Sequence, residues 1–327
     1  MKLIVNIDAY NEEAKIGETI KRIKKSFLAD FYASDNGAKI SQKLIQLVDD
    51  GSTDNTVEEA KKAGIDLIVS YKPNRRLAYA FKRAVENSLE NEADFMVNID
   101  ADGQFDPDDI PKLLAPVLSG ECDMVIANRF GKHEAKNMPK IKYQLNYLAA
   151  KIVGYFLSYP IDDLTCGFRA HNRETLLRLN ITNVSFTYTQ ETIIDAIGKN
   201  LKLKWVPVKV QYFSDRESRI VKSVWKFVSN SAKIILKAVR DVRPMKFFGI
   251  PGLIFVATSV LVFCLFLVHY FETFQITTYR NYLFLCAALL FVGSQLLIFA
   301  LIADMIKTNR NLTEEQMYLL KKERYNK

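Results

Sequence analysis

Two carboxylates one residue apart close the apolar run Phe95-Met96-Val97-Asn98-Ile99-Asp100-Ala101-Asp102-Gly103-Gln104. The run reads as a buried strand. Alternation along a strand sends Asp100 and Asp102 the same way if the geometry persists past its end. Such a pair can hold one hard divalent cation with few protein ligands. Mg²⁺ commonly takes one or two carboxylates and fills its other positions with water and substrate phosphate. The stretch therefore points to a phosphate-bearing substrate delivered with a metal, although a solvated acidic turn explains the same residues.

A second acidic stretch, Val48-Asp49-Asp50-Gly51-Ser52-Thr53-Asp54-Asn55-Thr56, follows another apolar run. Its Gly, Ser, Asp and Asn make a turn on composition alone. As a site, its carboxylates can accept hydrogen bonds from a nucleobase or a ribose. A third polar loop, Asp8 to Asn11, follows the apolar N-terminal residues.

The elements that must hold these loops alternate. Short apolar runs at 2–7, 43–48, 66–69, 95–99 and 123–127 are separated by helical patterns at 13–27, 56–62, 77–89 and 108–118. Such alternation predicts an α/β domain with a largely parallel sheet. Asn55 or Thr53 can cap the second helix, and Pro107 suits the first turn of the fourth. Ligands of open α/β sheets bind at the carboxyl ends of the strands. All three polar loops lie at such ends, so they converge on one edge. Further on, the pattern predicts a helix over 138–156, a loop over 161–169, a helix over 189–199 and a strand over 201–213 interrupted by Pro207.

The chain has 327 residues, a net charge of +8, 49% apolar and 25% charged residues, ordinary for a globular protein. The average conceals a split. Residues 247–271 and 281–303 contain no Asp, Glu, Lys or Arg, and each run is long enough to cross a bilayer as a helix. Residues 201–250 hold 12 Lys/Arg against 3 Asp/Glu, so the rest of the chain is close to neutral. A basic segment just before a membrane span fits anionic lipid headgroups better than nucleic acid. Within it, 220–242 reads as an amphipathic helix with Lys222, Lys226, Lys233, Lys237 and Arg240 on one side and Val221, Trp225, Val228 and Ile235 on the other. Such a helix can lie in the membrane interface or pack on the domain before it. Basic residues flank both outer ends of the apolar pair, and the linker 272–280 has only Arg280. The positive-inside rule puts both ends in the cytoplasm. Residues 1–7 are too short for a signal peptide and read as the first strand, which leaves the N-terminal part cytoplasmic. Cys122, Cys166, Cys264 and Cys286 show no paired spacing and read as free thiols. The apolar runs carry no strong small-residue motif, so a homo-oligomer is left open.

In order and spacing, Asp8-Ala9-Tyr10-Asn11-Glu12-Glu13, then VDDGSTDNT, then DADGQFDPDDI resemble the family 2 inverting glycosyltransferases of the GT-A fold. The resemblance continues through Ala127-Asn128-Arg129-Phe130, Asp163-Leu164-Thr165-Cys166-Gly167-Phe168-Arg169, Gln190-Glu191 and Val206-Pro207-Val208, and covers about residues 1–220. With the two apolar runs, the chain is similar to the polyprenyl-phosphate sugar synthases of that family.

The resemblance implies a Rossmann-like GT-A domain at 1–217, an interface helix at 218–245, a two-helix transmembrane hairpin at 246–305 and a cytoplasmic tail at 306–327. It implies a UDP- or GDP-linked sugar donor bound by Ala9, Tyr10, Asn11, Glu12, Asp49, Asp50, Asp100, Ala101, Asp102, Gln104 and Arg216. Mg²⁺ or Mn²⁺ would be held by Asp100, Asp102 and Gln104 and would neutralise charge on the leaving nucleoside diphosphate. The implied acceptor is a polyprenyl phosphate, dolichyl or undecaprenyl, already dianionic near neutral pH. It needs no general base, which accords with histidines (His133, His171, His269) that lie outside the matched motifs. Asp102, Arg129 and Arg169 are the expected catalytic residues, with Arg129 and Lys142 on the acceptor phosphate. Transfer to another lipid or a growing glycan, or an inert nucleotide-sugar-binding scaffold, are the alternatives. The chain departs from the family in four places. Asn74-Arg75-Arg76 replaces Asn-x-Gly, Lys140 and Lys142 replace Arg, Cys166 replaces Ser, and Asp8 stands where Pro is usual.

Overall fold

The computed structural model describes residues 1–34, 37–130, 140–181, 188–211, 229, 232–233, 236, 239–277 and 280–325. The chain divides into two units, Met1–Ile235 with Gln316–Lys327, and Leu236–Glu315.

The first unit is built on a seven-stranded sheet. Its strands are β1 (Lys2–Ala9), β2 (Gln42–Asp49), β3 (Leu67–Ser70), β4 (Phe95–Asp100), β5 (Met124–Asn128), β6 (Arg169–Asn172) and β7 (Leu203–Pro207), in the order β3-β2-β1-β4-β6-β5-β7. β6 runs antiparallel to both β4 and β5, and the other pairings are parallel. The central strands are apolar and buried, as strands covered on both faces must be. The helices that follow them are α1 (Glu13–Ser26), α2 (Thr56–Lys62), α3 (Leu77–Glu90), α4 (Ile110–Leu118), α5 (Lys140–Leu157), α6 (Arg173–Arg178) and α7 (Tyr188–Gly198). α1 shows why they sit where they do. Ile16, Ile20 and Ile23 recur at helical spacing and are fully buried, while Glu13 opens the first turn and Lys24 and Lys25 close the last. Burying each isoleucine contributes about 1.5–3 kcal/mol.

The expected strands and helices up to residue 130 are present within two residues at each end. β6 and α6 differ from expectation, since residues 170–178 carried no strand or helix signal. Arg169-Ala170-His171-Asn172 has no strand-like composition. It becomes a strand because two exposed ladder edges, β4 and β5, flank it. The strand expected over 201–213 stops at Pro207, and chain pairing resumes only as an isolated bridge between Val210 and Phe105.

The core also holds a polar rung. Asn6 on β1 is in register with Gln46 on β2 and Asn98 on β4, and all three are fully buried. Asn6 Nδ2 donates to Asn98 Oδ1 (2.6 Å), Gln46 Nε2 to Asn6 Oδ1 (2.8 Å), and Asn87 Nδ2 to Gln46 Oε1 (2.7 Å). Mutual pairing is what makes buried amides tolerable.

The expected tail at 306–327 is not a separate segment. Helix α9 (Arg280–Tyr325) continues through it, and its last turns belong to the first unit. There Tyr318 donates to Glu174 (3.0 Å), and Lys321 donates to Leu179 O (2.9 Å) and Asn180 Oδ1 (3.0 Å).

The second unit contains α8 (Ile250–Thr273) and the apolar part of α9, two helices long and apolar enough to cross a membrane. They approach closely at Gly252 and Gly293, where a Cβ on Gly293 would lie 2.8 Å from Val256 and 3.0 Å from the Gly252 carbonyl. Small residues at such a crossing are what packing between apolar helices requires. Ser259 Oγ also donates to Cys286 O (2.8 Å). The amphipathic helix expected at 220–242 lies largely outside the described residues. The four cysteines are free.

Candidate active site at the carboxyl edge of the sheet

The parallel register brings the three polar loops together. At the strand ends Asp8 pairs with Asp100, Ala9 with Asp49, and Asp49 with Ser70. β5 ends at the same edge with Asn128, and antiparallel β6 begins there with Arg169.

The first two loops are tied to each other. Asn11, at φ 54°, donates its N–H to Ser52 Oγ (2.9 Å) and accepts from Thr53 N (2.8 Å), while Glu12 N donates to Thr56 Oγ1 (2.8 Å). Asp49 accepts from Ser52 N (2.9 Å) and Ser70 Oγ (2.6 Å). Asp50 accepts from Arg75 N (2.7 Å) and Asn74 Nδ2 (2.8 Å). Burial raises the Asp50 carboxyl above its ordinary range, partly offset by the Arg75 N–H. Gly51, at φ +77°, permits this turn, because a Cβ there would meet Asn74 N and Tyr71 O at 3.0 Å. Asp49 and Asp50 are buried and spent on their own loop. Tyr10, at the tip of the first loop, is exposed.

Asp100 and Asp102 frame the third loop. Asp102 Oδ1 accepts from Gln104 N (3.0 Å), and Gln104 O accepts from Gln211 N (3.1 Å), which secures the loop beside the chain after β7. Burial first, then the charges of Asp102 and Asp8, push the Asp100 carboxyl up to about 8, while the Arg129 guanidinium pulls it down. Asp8 is raised to about 7, chiefly by burial, with the amides of Asn6 and Asn98 offsetting part of it. Asp8 Oδ1 accepts from Asn6 Nδ2 (3.0 Å), whereas Oδ2 is buried and has no hydrogen-bond partner among the described residues. Gly167 leaves room beside Asp100, since a Cβ there would stand 3.5 and 3.6 Å from the two carboxylate oxygens.

Those features fit a divalent cation. Carboxylates crowd one another, a buried oxygen lacks a donor, and a Cβ at residue 167 would stand in van der Waals contact with both Asp100 oxygens. Among the described residues no three acidic, histidine or cysteine side chains are close enough to form a cage. Mg²⁺-type ions do not require one when substrate phosphate completes the shell. Asp100 and Asp102 are the residues that would hold the ion, with the Gln104 side chain as a neutral donor at the same turn.

The arginines divide. Arg129 forks onto Asp163, Nε to Oδ2 at 2.7 Å and Nη2 to Oδ1 at 2.9 Å, with Thr165 Oγ1 at 2.6 Å from Nη2. It is 8% exposed, at the edge where Asp100 sits. Arg169 corrects the expectation. Its side chain is fully buried and donates to Cys166 O (2.7 Å), Thr192 Oγ1 (2.6 Å) and Thr189 O (2.7 Å). It ties the 163–169 loop to α7 and does not meet solvent, so it braces the site where a catalytic residue was expected. Lys142 is placed in α5, but its side chain, like Arg216, lies outside the described residues.

Residue types alone did not mark Asp163, which orients Arg129, or Tyr188, which lies 3.4 Å from Asn98 Nδ2 and stacks on Phe81. Only the quoted motif around Asp163 hinted at it. Arg76 explains one departure. It precedes α3 at φ 72°, ψ 162°, a backbone region that is essentially reserved for glycine. Arginine occupies a glycine geometry here, beside the Asp50 loop.

Comparison with known proteins gives the same picture. The model of the glycosyl transferase family 2 matches residues 4–180. An uncharacterised protein of Methanocaldococcus jannaschii is 34% identical over 67% of this chain and 85% of its own length. A UDP-N-acetylglucosamine–dolichyl-phosphate N-acetylglucosaminyltransferase of Methanococcus voltae is 27% identical over 63% of this chain and 84% of its own. A dolichol-phosphate mannosyltransferase of Pyrococcus furiosus is 26% identical over 77% and 69%. Among solved structures, glucosyl-3-phosphoglycerate synthase of Mycobacterium tuberculosis in complex with UDP shares the fold at 20% identity, with a TM-score of 0.55 over 73% of this chain and 80% of that one. The same synthase has been solved with Mn²⁺ and UDP, at a TM-score of 0.54 to this chain over 73% and 78%. The sheet with its acidic carboxyl edge is the GT-A fold, and the chain belongs to glycosyl transferase family 2 and is a glycosyltransferase.

Proposed function

We propose that this enzyme transfers a hexose from a nucleotide diphosphate sugar to a polyprenyl monophosphate, with inversion, at the cytoplasmic face of a membrane. The observation that carries the reading is the convergence of the Asp8–Glu12, Asp49–Asp54 and Asp100–Gln104 loops at one sheet edge, in a chain with two helices able to cross a bilayer. The activities named for the Methanococcus voltae and Pyrococcus furiosus relatives, an N-acetylglucosaminyltransferase and a mannosyltransferase of dolichyl phosphate, support the acceptor class.

In this reading the tied first and second loops receive the nucleoside, with Tyr10 outermost and Asp50 on the base edge. Asp100 and Asp102 would hold Mg²⁺ or Mn²⁺, which supplies neutralising charge to the diphosphate as it leaves. Arg129, fixed by Asp163, sets a positive potential on the side where an acceptor phosphate must approach an anionic donor. The acceptor oxygen is already an anion, so the residues here need only orient it. A polyprenyl chain costs roughly 0.8 kcal/mol for each CH₂ brought into water, so the reaction belongs at the membrane surface. The two apolar helices would anchor the chain there as a multi-pass hairpin.

The test offers purified full-length protein a panel of radiolabelled nucleotide sugars with polyprenyl phosphate and Mn²⁺. Labelled lipid with one donor is expected, and Asp102→Asn should abolish it with the fold intact. Absence of labelled lipid across a broad donor panel would count against the acceptor, and undiminished turnover in Asp102→Asn against the cation role.

A further inference from the structure

Asp8 is used in a way that the activity alone does not require. The β1–β4 register sets it directly across from Asp100, one residue pair beyond the Asn6–Asn98 pair. Side chains two apart on a strand share a face, so a rung of amides lies immediately behind a rung of carboxylates. Like charges directly opposite each other on neighbouring strands are destabilising. A buried carboxylate oxygen without a donor adds a further cost. Asp8 is 6% exposed, its Oδ1 is held by Asn6, and its Oδ2 is buried without a hydrogen-bond partner among the described residues. The network behind it is otherwise paired, from Asn87 through Gln46 and Asn6 to Asn98. Within that network the unmet demand falls on Asp8 Oδ2. An unmet carboxylate demand next to a carboxylate pair calls for positive charge.

We propose that Asp8 is a positioning residue for the divalent cation, adding negative charge from β1 directly across from Asp100 so that the ion on Asp100 and Asp102 binds more tightly. This rests on the cation role proposed for those two residues. It gives the chain a carboxylate at a position where the family usually has Pro. Asp8 is not within reach of a shared three-ligand cage with them, so it acts by its charge across the β1–β4 pair. Supporting residues of this kind typically change metal affinity ten- to a hundredfold.

The test titrates Mn²⁺ alone into the full-length protein in detergent and reads free Mn²⁺ by electron paramagnetic resonance at room temperature. Asp8→Asn keeps the acceptor for Asn6 and removes the charge. It should weaken Mn²⁺ binding ten- to a hundredfold. Asp106→Asn, on the same loop as Asp102 but paired with Arg22 at 2.8 Å, should leave affinity unchanged. Asp102→Asn should eliminate binding. Unchanged affinity in Asp8→Asn with binding lost in Asp102→Asn overturns the inference and leaves the cation reading standing. Equal weakening by Asp106→Asn overturns it too, as a general charge effect. Mn²⁺ binding retained in Asp102→Asn overturns the reading beneath it. A thermal melt in EDTA checks folding, and if Asp8→Asn is unfolded, Asp8→Ser is judged by the same titration.

Discussion

Arg129 and Asp163 form a buried fork, with the Asp163 side chain fully buried and the Arg129 side chain 9% exposed. Breaking such a pair from one side leaves an uncompensated charge and costs about 3–5 kcal/mol. Asp163→Asn should therefore lower the thermal midpoint strongly. Arg129→Lys, which cannot fork onto a carboxylate, should lose transfer rate beyond what its milder loss of stability explains. Thermal melts and initial rates on the same preparations check both.

Arg169 behaves oppositely. Its donors are satisfied by Cys166 O, Thr192 Oγ1 and Thr189 O inside the fold. Arg169→Lys should cost stability of about 1.5–3 kcal/mol for each charged hydrogen bond it fails to remake. Material that stays folded at low temperature should keep its KM for the lipid acceptor. A raised acceptor KM in folded protein would restore Arg169 to the residues that meet substrate.

The contrast shows what was legible in the sequence. The loops around Asp8, Asp49 and Asp100 were readable because each follows a short continuous apolar run, and strand ends converge in any parallel sheet. The two arginines carried identical signals, a positive charge in a polar motif. Which one is sealed from solvent entirely depends on β6, four residues without strand composition that form only because β4 and β5 offer both edges. The amide rung was equally hidden, since Asn6, Gln46 and Asn98 are far apart in the chain and meet only through register.

His171, on β6, supplies a pH prediction. It is fully buried against Phe81 with neither ring nitrogen hydrogen-bonded among the described residues. Burial first, then the Arg169 charge, lowers it from 6.5 to about 3. The unfolded chain then binds a proton that the folded chain refuses. This group's contribution to stability falls as pH drops from about 6.5 toward 3, by up to about 1.4 kcal/mol per pH unit. His171→Leu should flatten that part of the stability–pH curve and raise the midpoint at pH 5 more than at pH 8. Parallel curves for the two proteins would contradict it.

Arg76 tests the glycine geometry. A residue with a Cβ in that region carries strain of about 1–3 kcal/mol. Arg76→Gly relieves the strain but adds freedom to the unfolded chain, about 0.4–1 kcal/mol, so a net gain of about 1 kcal/mol is expected. Arg76→Ala keeps the Cβ and should bring no gain. If both variants melt with the parent, the strain is not there.

The end of α9 makes the last prediction. Tyr318 and Lys321 reach Glu174, Leu179 and Asn180, and the Arg178 guanidinium lies 4.1 Å from the centre of the Tyr318 ring. Arg173 also donates to Tyr325 O at 2.6 Å. Such contacts make the final turns a structural part of the first unit, where a solvated tail would exchange freely. Net hydrogen bonds of this kind contribute about 0.5–1.5 kcal/mol, and more where a charged group takes part. Lys321→Ala should therefore speed amide exchange across 316–325 by roughly tenfold, the equivalent of about 1.4 kcal/mol. Tyr318→Ala, which removes a ring contact and a hydrogen bond together, should do more. Hydrogen exchange read by mass spectrometry on the full chain measures both. Equal exchange in the parent and Tyr318→Ala would mean that these contacts do not hold the helix end in solution.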